Sequence, residues 1–134
     1  MITYKEIDST YLGRIKEIYE AEGWMAYLND DEKLRRAFDN SLYILGAFEG
    51  DKLVGFIRCL GDGEHAVMIQ DLIIDKEHQR QKLGTTMMNK IFEKYATVRF
   101  VQVNTDLEDE RDNAFYKAMG MRTLENAHMI SYCR

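Results

Sequence analysis

Proline occurs nowhere among the 134 residues. Glycine and charged residues therefore mark the turns, and no proline-rich linker, repeat or low-complexity segment divides the chain. No run of about 18 apolar residues exists, which excludes a membrane-spanning helix. Only two cysteines are present, Cys59 and Cys133. Neither has metal-ligand spacing to a histidine or to the other, and no local pattern makes either a nucleophile. The start Met1-Ile2-Thr3-Tyr4-Lys5 lacks the apolar core of an export signal, so reduced thiols in a cytoplasmic protein are expected. Basic charge is not in excess: the net charge is −5, against the basic face of a nucleic-acid binder. His65, His78 and His128 show no metal spacing either, and no metal is expected; His78 is expected to be exposed in a turn.

What remains is ordinary globular composition, 46% hydrophobic and 31% charged, at a length that predicts one domain over residues 1–134. Ile2 to Ile7 reads as a first strand. Asp8-Ser9-Thr10 offers caps for a helix with Leu12, Ile15, Ile18 and Tyr19 at helical spacing, ending near Gly23. Asn29-Asp30-Asp31-Glu32 starts a second helix, with acids in its first turn and Leu34, Ala37 and Phe38 inward. Leu42 to Phe48 and Leu53 to Leu60 flank Glu49-Gly50-Asp51-Lys52 as a hairpin. Ala66 to Ile74 is a long strand, apolar except for Gln70 and Asp71, of the kind buried on both faces. A helix follows with Leu83, Met87, Met88, Ile91, Phe92 and Tyr95 on one stripe. Val98 to Val103 is a buried strand. Asp109 to Met119 is a helix with Ala114, Phe115, Ala118 and Met119 inward, and Met121–Leu124 with Met129–Cys133 make a last pair of strands. The order is β-α-α-β-β-β-α-β-α-β-β, a mixed α/β sheet with helices on its faces.

The segment Ile69 to Met88 carries the most chemical information. An apolar strand breaks into a polar, cationic turn that opens directly into a helix. The first amide groups of a helix have no intrahelical acceptor, and the helix dipole favours negative charge there, so Gln79 to Thr85 suits a pyrophosphate. Gly84 allows close approach, and Arg80 and Lys82 supply charge. The alternative is a solvated helix start with both cations merely exposed. The turn is neither a Walker loop nor a Rossmann fingerprint.

Gln79-Arg80-Gln81-Lys82-Leu83-Gly84 after an apolar strand resembles the acetyl-coenzyme A motif of the GCN5-related N-acetyltransferases, Gln/Arg-x-x-Gly-x-Gly/Ala at a helix start. Ala114-Phe115-Tyr116-Lys117-Ala118-Met119-Gly120-Met121 resembles that family's Phe-Tyr-x-x-x-Gly-Phe helix. The element order fits over essentially the full length, and Trp24, Asn40-Ser41 and Ile69-Gln70-Asp71-Leu72 are similar to a bacterial subgroup of small members. Three positions depart from the pattern. Lys82 replaces a glycine, Met121 replaces an aromatic, and Asp109 stands where many relatives carry Asn near the pantetheine.

The resemblance implies a mostly antiparallel sheet and acetyl transfer from acetyl-CoA to an amine by direct attack. The strand Leu72–Ile73–Ile74 would splay from Val98–Val103, pair with the pantetheine, and polarise the acetyl carbonyl with an amide near Leu72 or Ile73. Gln79, Arg80, Gln81, Lys82, Leu83, Gly84 and Thr85 would hold the pyrophosphate. Tyr116 aligns with the tyrosine that protonates the leaving thiolate and also packs on the pantetheine; its alternative is an ordinary tyrosine of an amphipathic helix. Asp71 interrupts an apolar strand beside the expected acetyl site, where a buried carboxylate needs a partner or a task. It is a candidate base or anchor for the substrate ammonium; the alternative is a structural carboxylate bonded to backbone or to Arg58. Trp24, Met25 and Tyr27 fall where the family lines its acceptor pocket, and aromatics there suit an amine with an apolar body; Trp24 as a plain core residue is the alternative.

The expected substrate is thus a small-molecule primary amine. A lysine or N-terminal amine of a protein is the second reading, and a non-catalytic acyl-CoA-binding domain is the third, on the strength of Lys82. The resemblance implies that a homodimer is possible, since many relatives form one, often through C-terminal strands, and Met129–Cys133 could pair with a second copy.

Overall fold

The computed structural model describes residues 1–134 and divides them into two units, Met1–Val103 and Asn104–Arg134. The first unit holds a five-stranded sheet in the order β1-β2-β3-β4-β5. Its strands are β1 (Ile2–Glu6), β2 (Tyr43–Glu49), β3 (Lys52–Gly61), β4 (Ala66–Ile74) and β5 (Phe100–Val103). The first four run antiparallel to their neighbours, and β5 joins β4 in parallel.

Local chemistry sets the joints. Asp8 caps a 3-10 turn, Ser9–Tyr11, that leads into α1 (Leu12–Ala21). Gly23 takes φ +78°, the left-handed geometry that ends helices at low cost. Asp30 accepts the Lys33 amide at 3.0 Å and starts α2 (Asp31–Asp39), a cap typically worth about 1 kcal/mol. The β2–β3 hairpin turns at Gly50-Asp51, with Gly50 at φ +59°. The third helix, α3 (Leu83–Lys94), packs on β2, β3 and β4 and buries Leu83, Met87, Met88 and Ile91.

The sheet has two covered faces, and cross-strand partners show which residues share each one. Phe56 pairs with Ile73, and Arg58 with Asp71. Phe56 and Ile73 belong to the cluster with Ile15, Ile18 and Tyr19 of α1 and Leu34 and Phe38 of α2. Ile57 pairs with Leu72, and Cys59 with Ile69, on the opposite face. Ile69 and Asp71 therefore face opposite ways although they are two apart in sequence. A register shift between Arg58 and Cys59 produces this: Gln70 is the extra residue of a β-bulge, and bulges re-aim side chains in this manner. The strand expected to be buried on both faces thus alternates, with Val67, Ile69, Asp71 and Ile73 buried, Met68, Leu72 and Ile74 half-buried, and Gln70 exposed.

The second unit carries α4 (Glu110–Ala118), capped by Asp109, which accepts the Asp112 amide at 2.9 Å. Ala114 and Ala118, expected inward, are exposed, while Phe115, Tyr116 and Met119 are half-buried. Alanine has too little apolar area to compel burial. The expected strands Met121–Leu124 and Met129–Cys133 are irregular, joined by turns in which the Met129 amide bonds the Leu124 carbonyl at 2.7 Å. A lone hairpin interrupted by Arg122, Glu125 and Asn126 lacks the buried face that holds strands together. Ile130 and Tyr132 are exposed. The strand expected from Val98 starts at Phe100 and is half-buried.

Candidate active site

The ladder between β4 and β5 runs from Ala66↔Phe100 to Ile69↔Val103. The β4 residues Gln70 to Ile74 continue beyond the end of this pairing, while their other edge stays bonded to β3. A strand that outruns its parallel neighbour presents backbone amides and carbonyls to an extended ligand. Leu72, Ile73 and Ile74 lie on this stretch.

From Ile74 the chain enters the cationic turn. Asp75 anchors its entry: the Asp75 amide bonds the Val54 carbonyl at 2.8 Å, and its carboxylate meets Arg14 Nη2 at 2.6 Å. Burial opposes the Asp75 charge, but the Glu77 amide and Arg14 more than offset this and hold its carboxyl below the ordinary range. His78 is not exposed as expected. It lies on a 3-10 turn (Lys76–His78) begun by Asp75, which folds it back against that carboxylate at 4.0 Å, with Nδ1 buried and without a hydrogen-bond partner. The Gln79 amide nitrogen donates to the Ile74 carbonyl at 3.0 Å and to Glu22 Oε1 at 2.9 Å, tying the turn to the end of β4 and to α1. Arg80, Gln81 and Lys82 are exposed, Gly84 and Thr85 half-buried. Leu83 is buried with the core of α3, so only its backbone faces a ligand.

Lys82 is the residue just before α3 and sits at φ 60°, ψ 25°; Arg80 is also left-handed, at φ 70°. This explains why glycine suits position 82: the turn needs a left-handed residue there, which costs an L-residue about 1 kcal/mol. Lys82→Gly is expected to raise the thermal midpoint by roughly 2–5 °C, because that strain is relieved and no side-chain cap is lost. A fall in the midpoint on thermal denaturation would show that the lysine stabilises the turn.

On the opposite side of the bulge lies a buried polar cluster. Asp71 is 1% exposed and Arg58 3%. Arg58 Nε meets Asp71 Oδ2 at 2.6 Å. The Tyr19 hydroxyl donates to Oδ2 at 2.7 Å, and the Tyr27 hydroxyl donates to Oδ1 at 3.0 Å. Both carboxylate oxygens are thus satisfied by donors from three elements. Burial opposes the guanidinium charge of Arg58, but Asp71 more than restores it, and Arg58 holds its proton more tightly than usual. Burial first, then the Asp71 charge, pushes the Tyr19 and Tyr27 hydroxyls above the usual tyrosine range. Both stay protonated near neutrality.

Tyr19 and Tyr27 stack at 4.6 Å between ring centroids, and Trp24 also stacks on Tyr19, at 6.0 Å. Trp24 and Tyr27 are half-buried, Met25 exposed. The exposed Gln70 donates through Nε2 to the Tyr27 hydroxyl at 3.1 Å. Sequence reasoning singled out Trp24, Tyr27 and Asp71, and named Arg58 as an alternative partner of Asp71. It read Tyr19 only as one more member of an apolar stripe. The missed signal was the pairing of Tyr19 with Tyr27 across the helix end at Gly23.

In the second unit, Tyr116 lies against Phe115, edge to face at 5.0 Å. Burial, then the charges of Asp112 and Asp109, raise its hydroxyl well above the usual range. A protonated phenol is the form a proton donor needs. No group of three or more His, Cys, Asp or Glu side chains is placed to hold a metal ion. No helix is long and apolar enough to cross a membrane.

Comparison with known proteins fits this geometry. A family model described as the Acetyltransferase (GNAT) family matches residues 7–121. An acetyltransferase of that family from Streptococcus pneumoniae TIGR4 superposes with a TM-score of 0.85 and 34% identity, over 100% of this chain and 97% of that one. The PaiA N-acetyltransferase of Thermoplasma acidophilum, solved with coenzyme A, has the same fold at a TM-score of 0.74 and 18% identity, over 91% of this chain and 90% of that one. An uncharacterised N-acetyltransferase of Prochlorococcus marinus, ycf52-like, is 26% identical over 92 residues, 66% of this chain; the chain spans half of that relative's length.

Proposed function

The chain belongs to the GNAT acetyltransferase family, and from that premise we propose that it transfers acetyl from acetyl-CoA to the primary amine of a small molecule. The observation that carries this reading is β4 outrunning β5 and leading, through Gln70 to Ile74, straight into the cationic turn before α3. An extended strand edge followed by a helix start fits a ligand with a peptide-like arm and a pyrophosphate. The donor set fits as well: the exposed cations Arg80 and Lys82 flank the left-handed turn, and no carboxylate lies between Gln79 and Thr85. Acetyl-CoA would supply the activated thioester.

The residues of the chain then take these roles. Backbone amides of Gln79 to Thr85, with Arg80 and Lys82, hold the pyrophosphate. Leu72 to Ile74 align the pantetheine arm, and an amide at Leu72 or Ile73 donates to the acetyl carbonyl as charge develops on its oxygen. Tyr116 gives its hydroxyl proton to the leaving sulfur. Trp24 and Tyr27 bound the acceptor amine, with Asp71 behind them. The family match spans residues 7 to 121.

The test is thermal denaturation with acetyl-CoA, coenzyme A and ATP, run beside thiol release over amino acids, polyamines, arylalkylamines and a lysine peptide. Stabilisation by both coenzyme A species but not ATP, with thiol release on a small amine, is the expected result. Release with the peptide alone would make a protein the acceptor. Stabilisation without release would mark a binding domain, and no stabilisation would reduce the family membership to fold.

A further inference from the structure

We propose that the acceptor amine is gripped by the hydroxyl oxygen of Tyr27, and that Asp71 is a positioning residue that fixes the direction of that hydroxyl rather than the base that meets the amine. The inference rests on the acetyl-transfer reading and deepens it.

The Asp71 side chain is 0% exposed. Its Oδ2 is taken by Arg58 and Tyr19, and its Oδ1 by Tyr27. An incoming amine would have to displace a buried donor to reach it, leaving that donor unsatisfied at a cost of about 1–3 kcal/mol. Tyr27 is the outermost member of the cluster, between the buried carboxylate and the exposed Gln70. A phenol has one proton to give, and that of Tyr27 goes to Asp71. Its oxygen therefore faces outward with lone pairs only. Gln70 Nε2 donates to that oxygen; because Gln70 is exposed, an amine N–H can take its place while the Gln70 amide returns to water, and no buried donor is left unpaired.

This arrangement selects by hydrogen-bond polarity. A ligand that donates N–H is accepted; one that offers only an acceptor oxygen meets lone pairs. Arg58 neutralises Asp71, so the cluster carries no net charge to hold an ammonium in its protonated form. That suits an amine that has given its ammonium proton to solvent before it binds and attacks through its lone pair. The rings of Trp24 and Tyr27 both stack on Tyr19, and aromatics so grouped match an acceptor with a flat or apolar body beside its amine.

The test takes the amine of the panel with the highest kcat/KM in the wild-type chain. Tyr27→Phe keeps the ring stack and removes only the oxygen. It is expected to raise KM for that amine about three- to tenfold, the range of one neutral hydrogen bond, with kcat held within about threefold and KM for acetyl-CoA unmoved. Binding is read independently by titrating the coenzyme A complex with the same amine and following the fluorescence of Trp24, the sole tryptophan. Asp71→Asn, whose amide would donate to Tyr27 and turn its proton outward, is expected to raise the amine KM in the wild-type background and to add little in the Tyr27→Phe background. An unchanged amine KM in Tyr27→Phe overturns the proposal. So does a further fall of about a hundredfold in kcat when Asp71→Asn is added to Tyr27→Phe, because Asp71 would then act on the amine by itself. Should Asp71→Asn fail to fold, Tyr27→Phe alone decides. Wild-type chain that releases thiol with none of the amines overturns the acetyl-transfer reading, and this inference with it.

Discussion

Replacing Arg58 with methionine is expected to lower the thermal midpoint by roughly 10–20 °C, the largest stability effect of any single change in the polar cluster. The two side chains are 4% and 0% exposed and meet at 2.6 Å. A buried pair of this kind contributes little compared with an apolar pair of the same volume, but removing one partner strands the other's charge, at about 3–5 kcal/mol. For a domain of this size each kcal/mol moves the midpoint by roughly 3–5 °C. Arg58 also lies with its guanidinium carbon 4.8 Å from the Phe38 ring centre and donates to Ser41 Oγ at 3.3 Å, so contact with α2 is lost as well. Two companion results identify the mechanism. Arg58→Met combined with Asp71→Leu and Tyr19→Phe is expected to recover most of the loss, because no buried charge remains and the one hydroxyl that loses its acceptor, that of the half-buried Tyr27, can turn to solvent. The midpoint of the wild-type chain is expected to be nearly independent of salt as far as this pair is concerned, since burial limits screening. A drop below about 3 °C in Arg58→Met, measured by calorimetry, would mean that Asp71 is fully served by the two tyrosines.

The largest effect on activity is expected from Tyr116→Phe: a fall in kcat of about a hundredfold, within the range of a lost general acid, with acetyl-CoA affinity unchanged. The hydroxyl holds its proton firmly because burial and two neighbouring carboxylates disfavour the phenolate. The edge-to-face contact with Phe115 needs only the ring and survives the change. A kcat that falls less than threefold in single-turnover measurements would reduce Tyr116 to a packing role. A rise in the acetyl-CoA dissociation constant with kcat intact would place its hydroxyl in binding rather than in proton transfer.

The two variants probe features of different legibility. Tyr116 was named from sequence because its motif is local: an aromatic pair and a glycine at fixed spacing on one helix. The same holds for Gln79 to Thr85, where a helix start, a glycine and two cations lie within seven positions. The helices α1, α2 and α3 were legible because their apolar residues recur every third or fourth position, and the hairpin because Gly50-Asp51 separates two apolar runs. Short, weakly buried elements were not. The stretches after Gly120 carry strand-like residues, but nothing in the chain order supplies them with a ladder, and they are irregular.

By itself the sequence determined the order of the elements as far as α4 and the cationic turn, because these rest on periodicity or on neighbours within a few residues; it named Asp71 as a charge interrupting an apolar strand, and Tyr27 and Tyr116 through the family resemblance. Only the tertiary structure decided what Asp71 touches. Its face depends on one extra residue in β4, Gln70, and on a register with β3 that no local pattern encodes. Without that bulge, simple alternation would carry Asp71 to the side of Ile69 and Cys59, against α3. With it, the carboxylate meets Arg58, Tyr19 and Tyr27, which lie 13, 52 and 44 positions away along the chain. The left-handed backbone at Lys82 was hidden for a related reason: residue type reports side-chain chemistry, while the sign of φ at a non-glycine is set by how β4 and α3 must be joined.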